Sequence, residues 1–98
     1  MRVRYTPRSR GDLEEIVAYI ASDNPLAAQR VRRAILDAIE LVAAYPYIGI
    51  KNARAPELRS WLVSRYPYRV HYQLSEGEVW IVHIRHAARR PWGGERRE

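Results

Sequence analysis

The spacing of apolar positions changes along the chain, and each change marks an element. Val3 and Tyr5 alternate with Arg2 and Arg4, a period of two that predicts a short strand over residues 2–6, closed by Pro7. Leu13, Ile16, Val17 and Ile20 then recur at three- and four-residue steps, which is one face of an amphipathic helix. Ser9 is the predicted N-cap of that helix, with Asp12 three positions on in a capping-box arrangement. "DNPLAAQ" restarts the chain: Asn24 can cap, and Pro25 fits the first helical position, where an N–H would have no helical partner. From Leu26 to about Tyr45 the stripe Val31, Ile35, Ala38, Ile39 and Val42 predicts a second, longer helix. So tight a link folds the two helices into an antiparallel hairpin.

"YPYIGIKNARAPE", residues 45–57, carries two prolines and a glycine and reads as an irregular loop. After it the period returns to two. Strands are predicted over 58–63, 68–74 and 79–86, the last two joined by the turn "SEGE", where Gly77 can take a positive φ. In the middle strand Tyr68, Val70, Tyr72 and Leu74 share a face for the helices, while Arg69, His71 and Gln73 share the other. The last strand is apolar on both faces until Arg85, which suits a central place in the sheet. The order β-α-α-β-β-β predicts an α+β domain, a helical hairpin on one face of a small antiparallel sheet.

Composition narrows the class without naming a function. At 98 residues the chain is one domain. There is no cysteine, so disulfides and thiolate metal sites are excluded, and with His71, His83 and His86 as the only histidines no metal or other cofactor is expected. No apolar run approaches the ~20 residues of a membrane span, and "MRVRYTPRSR" has no signal-peptide core, so a soluble cytoplasmic protein is expected. The net charge of +6 and pI near 10.2 favour an acidic partner, either nucleic acid or an acidic protein. Lys51 is the sole lysine. Arginine suits bidentate carboxylate or phosphate contacts, although a GC-rich genome would enrich it equally.

The stretches "YTPRSRGDLEEIVAYIASDNPLAAQRV", "YPYIG", "YPYRVHYQL" and "VWIVHIRHAARRP" follow one another over residues 5–91. In their joint order and spacing the chain resembles the ParE/RelE superfamily of toxins from type II toxin–antitoxin, or plasmid stabilisation, modules. The resemblance implies the RelE-like fold, in agreement with the element order above, over a single toxin domain at 1–92 followed by a C-terminal tail at 93–98. It also implies a cognate, ParD-like antitoxin whose acidic C-terminal segment folds onto the toxin and silences it in a hetero-oligomer. Two activities diverge within the superfamily. RelE-like members cut mRNA in the ribosomal A site without metal; ParE-like members poison DNA gyrase.

Cutting RNA through its own 2′-hydroxyl needs a proton acceptor, a proton donor and positive charge on the phosphorus oxygens. If the chain is a nuclease, with Arg69, His86 and Arg89 as its catalytic residues, the resemblance puts a phosphate-binding arginine at Arg69; Arg85 or Arg89 could supply a second, and His86, with an ordinary pKa of about 6.5, could shuttle a proton. Two departures weigh against it. The lysines usual before the second strand are reduced to Lys51, and the late aromatic is Trp92, which cannot exchange a proton. "RHAARRP" is closer to the ParE-side ending of a histidine, two small residues and an arginine, matched by His86 and Arg89. Gyrase is therefore the favoured target, the ribosome with mRNA the alternative, and Arg69, Arg85, His86, Arg89, Arg90 and Trp92 the residues expected to meet target or partner.

Plainer readings stand beside each of these. Arg69 could pair with Glu57 or Glu78, an exposed bridge contributing under about 1 kcal/mol. His71 and His83, set among apolar neighbours, read as packed, hydrogen-bonded residues. Arg85, Arg89, Arg90, Arg96 and Arg97 could be a solvated charge run, and Trp61, Trp80 and Trp92 core or interface anchors. A basic nucleic-acid-binding module, with Tyr66, Tyr68, Tyr72 and Arg69 on an open sheet, is the alternative outside the toxins.

Overall fold

The computed structural model describes residues 1–88. The first strand, β1 (Arg2–Tyr5), leads into helices α1 (Pro7–Ala21) and α2 (Pro25–Ala44); β2 (Ile50–Lys51), β3 (Leu58–Leu62), β4 (Tyr68–Ser75) and β5 (Glu78–His86) follow. The strands form one sheet in the order β1-β5-β4-β3-β2, with the two helices packed on one face.

Two features differ from the pattern read off the sequence. The sheet is mixed, because β1 lies parallel to β5 while the remaining neighbours are antiparallel. The helical hairpin supplies the long crossover that a parallel pair requires. Within the loop at 45–57, Ile50 and Lys51 pair with Ser60 and Arg59 as a fifth strand at the sheet edge. The central place expected of the last strand is seen, since β5 lies between β1 and β4.

Helix α1 begins three residues earlier than its hydrophobic stripe suggests. Thr6 is the N-cap, its Oγ1 accepting the Ser9 N–H at 3.1 Å, and Pro7 takes the first helical position. Ser9 is therefore inside the helix and fully buried, with its hydroxyl donating back to the Thr6 carbonyl at 3.0 Å. Proline both closes β1 and opens α1. Asn24 caps α2 as its side chain predicts, accepting the Ala27 N–H at 3.0 Å.

The core joins α2 to the two central strands: Ile35 and Val42 meet Val70, Tyr72, Val79, Ile81 and Ile84, all at most 2% exposed. Each such side chain contributes roughly 1.5–3 kcal/mol by leaving water. Tyr72 carries a polar tip into this core and satisfies it fully. Its hydroxyl donates to the Pro46 carbonyl at 2.7 Å and accepts the Gly49 N–H at 2.9 Å. That contact explains the glycine of "YPYIG", because a Cβ on Gly49 would lie 2.5 Å from the Tyr72 hydroxyl. At the other end of β4 a two-residue turn closes the hairpin, with both Glu76 (φ 50°) and Gly77 (φ 76°) left-handed, as a type I′ turn demands.

Candidate target and partner surface

The site expected from the sequence centres on the ends of β4 and β5, and a bulge decides which way its side chains point. Tyr72 pairs with Ile81, but the next pair back along β4 is His71 with His83, so Val82 is an extra residue in β5. Val79 and Ile81 face the helices. Strict alternation would send His83 and Arg85 into the core after them. The extra residue resets the phase: Ile84 turns inward opposite Val70, and His83 and Arg85 join His71 and Arg69 on the open face.

Arg69 and Arg85 are thereby direct cross-strand partners. Like charges in this position are destabilising, by the same few tenths to 1 kcal/mol that opposite charges contribute. Arg69 donates to the Ser60 hydroxyl on β3 at 3.1 Å. Pairing of Arg69 with Glu78 across the sheet is overturned, because Glu78 sits at the far end of β5 and binds Arg4 at 2.9 Å. Two guanidinium groups side by side on one open sheet face can share an anion, and a phosphate or carboxylate group fits their chemistry.

Behind the arginines the imidazoles of His71 and His83 stack, with ring centres 5.9 Å apart. Both side chains are buried, at 5% and 6% exposure. Burial pushes His71 down to a pKa of about 4, helped by repulsion from His83 once that ring is protonated and from the charges of Arg85 and Arg69. His83 is also lowered, burial outweighing the hydrogen bond and charge of Asp12. Both rings are thus neutral near pH 7.

The partners of His83 fix its tautomer. Its Nδ1–H donates to Asp12 Oδ2 at 2.6 Å, while the Arg8 guanidinium lies 3.5 Å from Nε2, which must then be the acceptor. The same Asp12 oxygen accepts the backbone N–H of Ile84 at 2.9 Å. This bond answers a need of the sheet. The β1–β5 ladder ends at Tyr5 and Ile81; Thr6 Oγ1 still reaches the Val82 carbonyl at 3.3 Å, and Asp12 caps the edge beyond it from α1. Asp12, read from the sequence as part of a helix-start motif, instead ties helix to sheet. His83 is the packed, hydrogen-bonded residue its apolar neighbours suggested.

His86 lies at the end of β5, half-buried, with the Tyr68 ring edge-on at 5.5 Å. Its Nδ1 accepts the Ala88 N–H at 3.1 Å, which holds the turn leaving the strand. Arg8, Glu15, Tyr19, Tyr68, Arg85 and His86 line a groove of about 520 Å³ between α1 and this strand end. Arg89, Arg90 and Trp92, also expected at the site, lie outside the described residues. Among the described residues no three His, Asp or Glu side chains converge on a common point where a metal could be held. No described helix is long and apolar enough to cross a membrane.

The structure thus sets a helical hairpin on a mixed sheet, with basic and imidazole groups gathered at one strand end. Residues 3–91 match the ParE toxin of the type II toxin–antitoxin system, parDE, and the chain belongs to that family. Toxin RelE2 of Caulobacter vibrioides is 41% identical over 88 residues, covering 90% of this chain and 97% of that protein. In fold, the chain is similar to the chromosomal ParDE system of P. aeruginosa, at a TM-score of 0.77 with 18% identity over 88% of this chain and 95% of that one. It is similar also to the isolated E. coli RelE toxin, at a TM-score of 0.67 with 16% identity over 91% and 86%. The protein is thus a toxin of the ParE/RelE superfamily, and its partner is an antitoxin.

Proposed function

We propose that this toxin poisons DNA gyrase in the cytoplasm and is silenced when its antitoxin binds. The observation that carries the reading is the commitment of the histidines. RNA cleavage through the 2′-hydroxyl needs groups that can take and give a proton at the reacting atoms. His83 is held between Asp12 and Arg8, His71 is buried with its pKa near 4, and His86 uses Nδ1 to hold the Ala88 N–H. The cations suited to a phosphate are present, but His71 and His83 serve the fold and His86 has one ring nitrogen engaged by the backbone. The ParE family match supports the same target. Arg69, Arg85 and His86, with Arg89, Arg90 and Trp92, are then contact residues.

A second reading has its own support. The opposed Arg69 and Arg85 suit a phosphodiester, His86 borders the same region, and the similar Caulobacter toxin is called RelE2. That reading makes the chain a ribosome-dependent mRNA endoribonuclease working through Arg69, His86 and Arg89. Purified toxin, freed from antitoxin, separates the two in parallel assays of plasmid supercoiling by gyrase and of in vitro translation with primer extension. Lost supercoiling or trapped cleaved DNA with intact message is the expected result. Message cut in the A site with gyrase unaffected refutes the gyrase target.

A further inference from the structure

Alternation along β5 sends Val79 and Ile81 toward the helices and Trp80 to the opposite, open face of the sheet. The core does not explain a tryptophan there. Its strand neighbours are Arg4, across the parallel pair with β1, and Gln73, across the antiparallel pair with β4. Trp80 is half-buried, and with Thr6, Gln73, Ser75 and Val82 it lines a pocket of about 230 Å³. The bulge helps to build this pocket, because the extra residue Val82 keeps to the same face and walls one side.

The pocket combines an apolar ring with polar groups that the fold does not use. Thr6 is committed, since its hydroxyl donates toward the Ile81 and Val82 carbonyls and accepts the Ser9 N–H. Among the described residues, by contrast, the Trp80 indole N–H, the Gln73 amide and the Ser75 hydroxyl meet no hydrogen-bond partner, and no second ring stacks on the indole. We infer that the pocket receives a base of single-stranded DNA, whose backbone runs along β4 to a phosphate held between Arg69 and Arg85. The indole offers a face for stacking, and the Gln73 amide, both donor and acceptor, can bond the edge of the base. Gln73 and Arg69 stand four residues apart on one strand, about 13 Å at ~3.3 Å per residue, a length that a few nucleotides of extended chain cover. The charge of the face agrees with a polyanion. Its strands carry Arg2, Arg4, Arg69 and Arg85, and the one acid among the strand residues is Glu78, which Arg4 binds at 2.9 Å. A duplex keeps the faces of its bases inside the stack, so the strand that meets the indole is unpaired. The inference deepens the gyrase reading and rests on it for the source of that strand, the DNA that gyrase cleaves; the contact itself rests on the sheet alone.

The test uses the full toxin, freed from antitoxin, and a fluorescein-labelled single-stranded DNA oligonucleotide of mixed sequence. Anisotropy reads its binding beside the same strand in duplex and an RNA of the same sequence. Trp80→Ala should raise the Kd for the single strand at least ~5-fold, the low end for loss of a stacked base, whereas Trp80→Phe keeps a ring and should stay within ~3-fold. Gln73→Ala, made at a position outside the core and checked with the others by circular dichroism, should shift the preference among bases. Arg69→Gln should weaken binding and lower its salt dependence by about one phosphate contact. Arg33→Gln removes the same charge from α2 and should stay within ~2-fold. An unchanged Kd in folded Trp80→Ala and Gln73→Ala overturns the inference, as does duplex bound as tightly as single strand, or RNA bound tenfold more tightly than DNA. In the gyrase assay Trp80→Ala should trap less cleaved DNA than wild type. If the single strand binds through Trp80 while wild-type toxin leaves gyrase untouched, the contact stands and the gyrase target fails. If wild type and Trp80→Ala inhibit gyrase equally, the inference fails and the gyrase target stands.

Discussion

Replacing Asp12 separates hydrogen-bond geometry from charge at the junction of helix and sheet. One oxygen, Oδ2, accepts both the His83 Nδ1–H at 2.6 Å and the Ile84 N–H at 2.9 Å. In Asp12→Ala both donors lose their acceptor in a region where His83 and Ile84 are 6% and 2% exposed. A buried donor left unsatisfied costs about 1–3 kcal/mol. Two of them, with partial relief from water at the half-buried Asp12 position, give an expected loss of about 2–4 kcal/mol. That is a large share of the ~5–15 kcal/mol that holds a domain of this kind together. With an m-value of about 1 kcal/mol/M in urea, the midpoint falls by about 2–4 M. Asp12→Asn is the informative control. An amide oxygen in the place of Oδ2 has two lone pairs and can accept both bonds, so only the charge is lost and the cost is about 1 kcal/mol. Urea unfolding followed by circular dichroism on antitoxin-free toxin at pH 7.5 reads both variants. Equal losses for Asp12→Ala and Asp12→Asn would show that charge, not the shared acceptor, holds α1 to β5. A loss below about 0.5 kcal/mol in Asp12→Ala would refute the anchoring role altogether.

Other outcomes follow from the same geometry. His71 is depressed from 6.5 to about 4 and His83 is also lowered, so the fold favours their neutral forms. Their contribution is present above pH 6.5 and is lost as pH falls from there toward 4, about 3 kcal/mol from His71 alone; urea midpoints across that range should fall, and a His71→Leu variant should flatten the dependence. Tyr72→Phe strands the Gly49 N–H and the Pro46 carbonyl and should cost about 2–3 kcal/mol by chemical unfolding. Gly49→Ala should be at least as damaging, because its new methyl meets the Tyr72 hydroxyl at 2.5 Å. Arg69→Gln should abolish growth arrest while moving the thermal midpoint by less than a 1 kcal/mol change would, since it loses one bond to Ser60 but eases a like-charge pair; a collapse in stability would make Arg69 a structural residue instead.

What could be read in advance was whatever depends on neighbours in sequence. The stripe from Val31 to Val42, the Asn24 cap and the alternation through Tyr68–Leu74 each reflect a local period, and each names an element correctly. What escaped depends on distant partners. Ile50 and Lys51 carry no strand pattern of their own and become β2 only because Ser60 and Arg59 offer an edge. Thr6 rather than Ser9 caps α1 because Pro7 already satisfies the first helical position, a point the hydrophobic stripe cannot show. The candidate site was legible to the same degree. Arg69 on the open face followed from alternation, but the outward turn of Arg85 required the extra residue Val82, which no composition rule marks. Asp12 and His83 stand 71 positions apart, and only the fold brings them to hydrogen-bonding distance.

The parallel pairing of β1 with β5 also sets an order of events in time. Arg2 aligns with Glu78, a separation of 78 − 2 = 76 positions, so the first strand to leave the ribosome waits for the last strand of the sheet. The helical hairpin closes through local contacts and can form early, whereas the sheet is completed across almost the whole chain, the slow kind of contact in folding. Until residues 78–86 emerge, α1 has no strand edge to cap, and Arg69 has no Arg85 beside it. The paired arginines of the open face therefore come together only once the strand at residues 78–86 has been made.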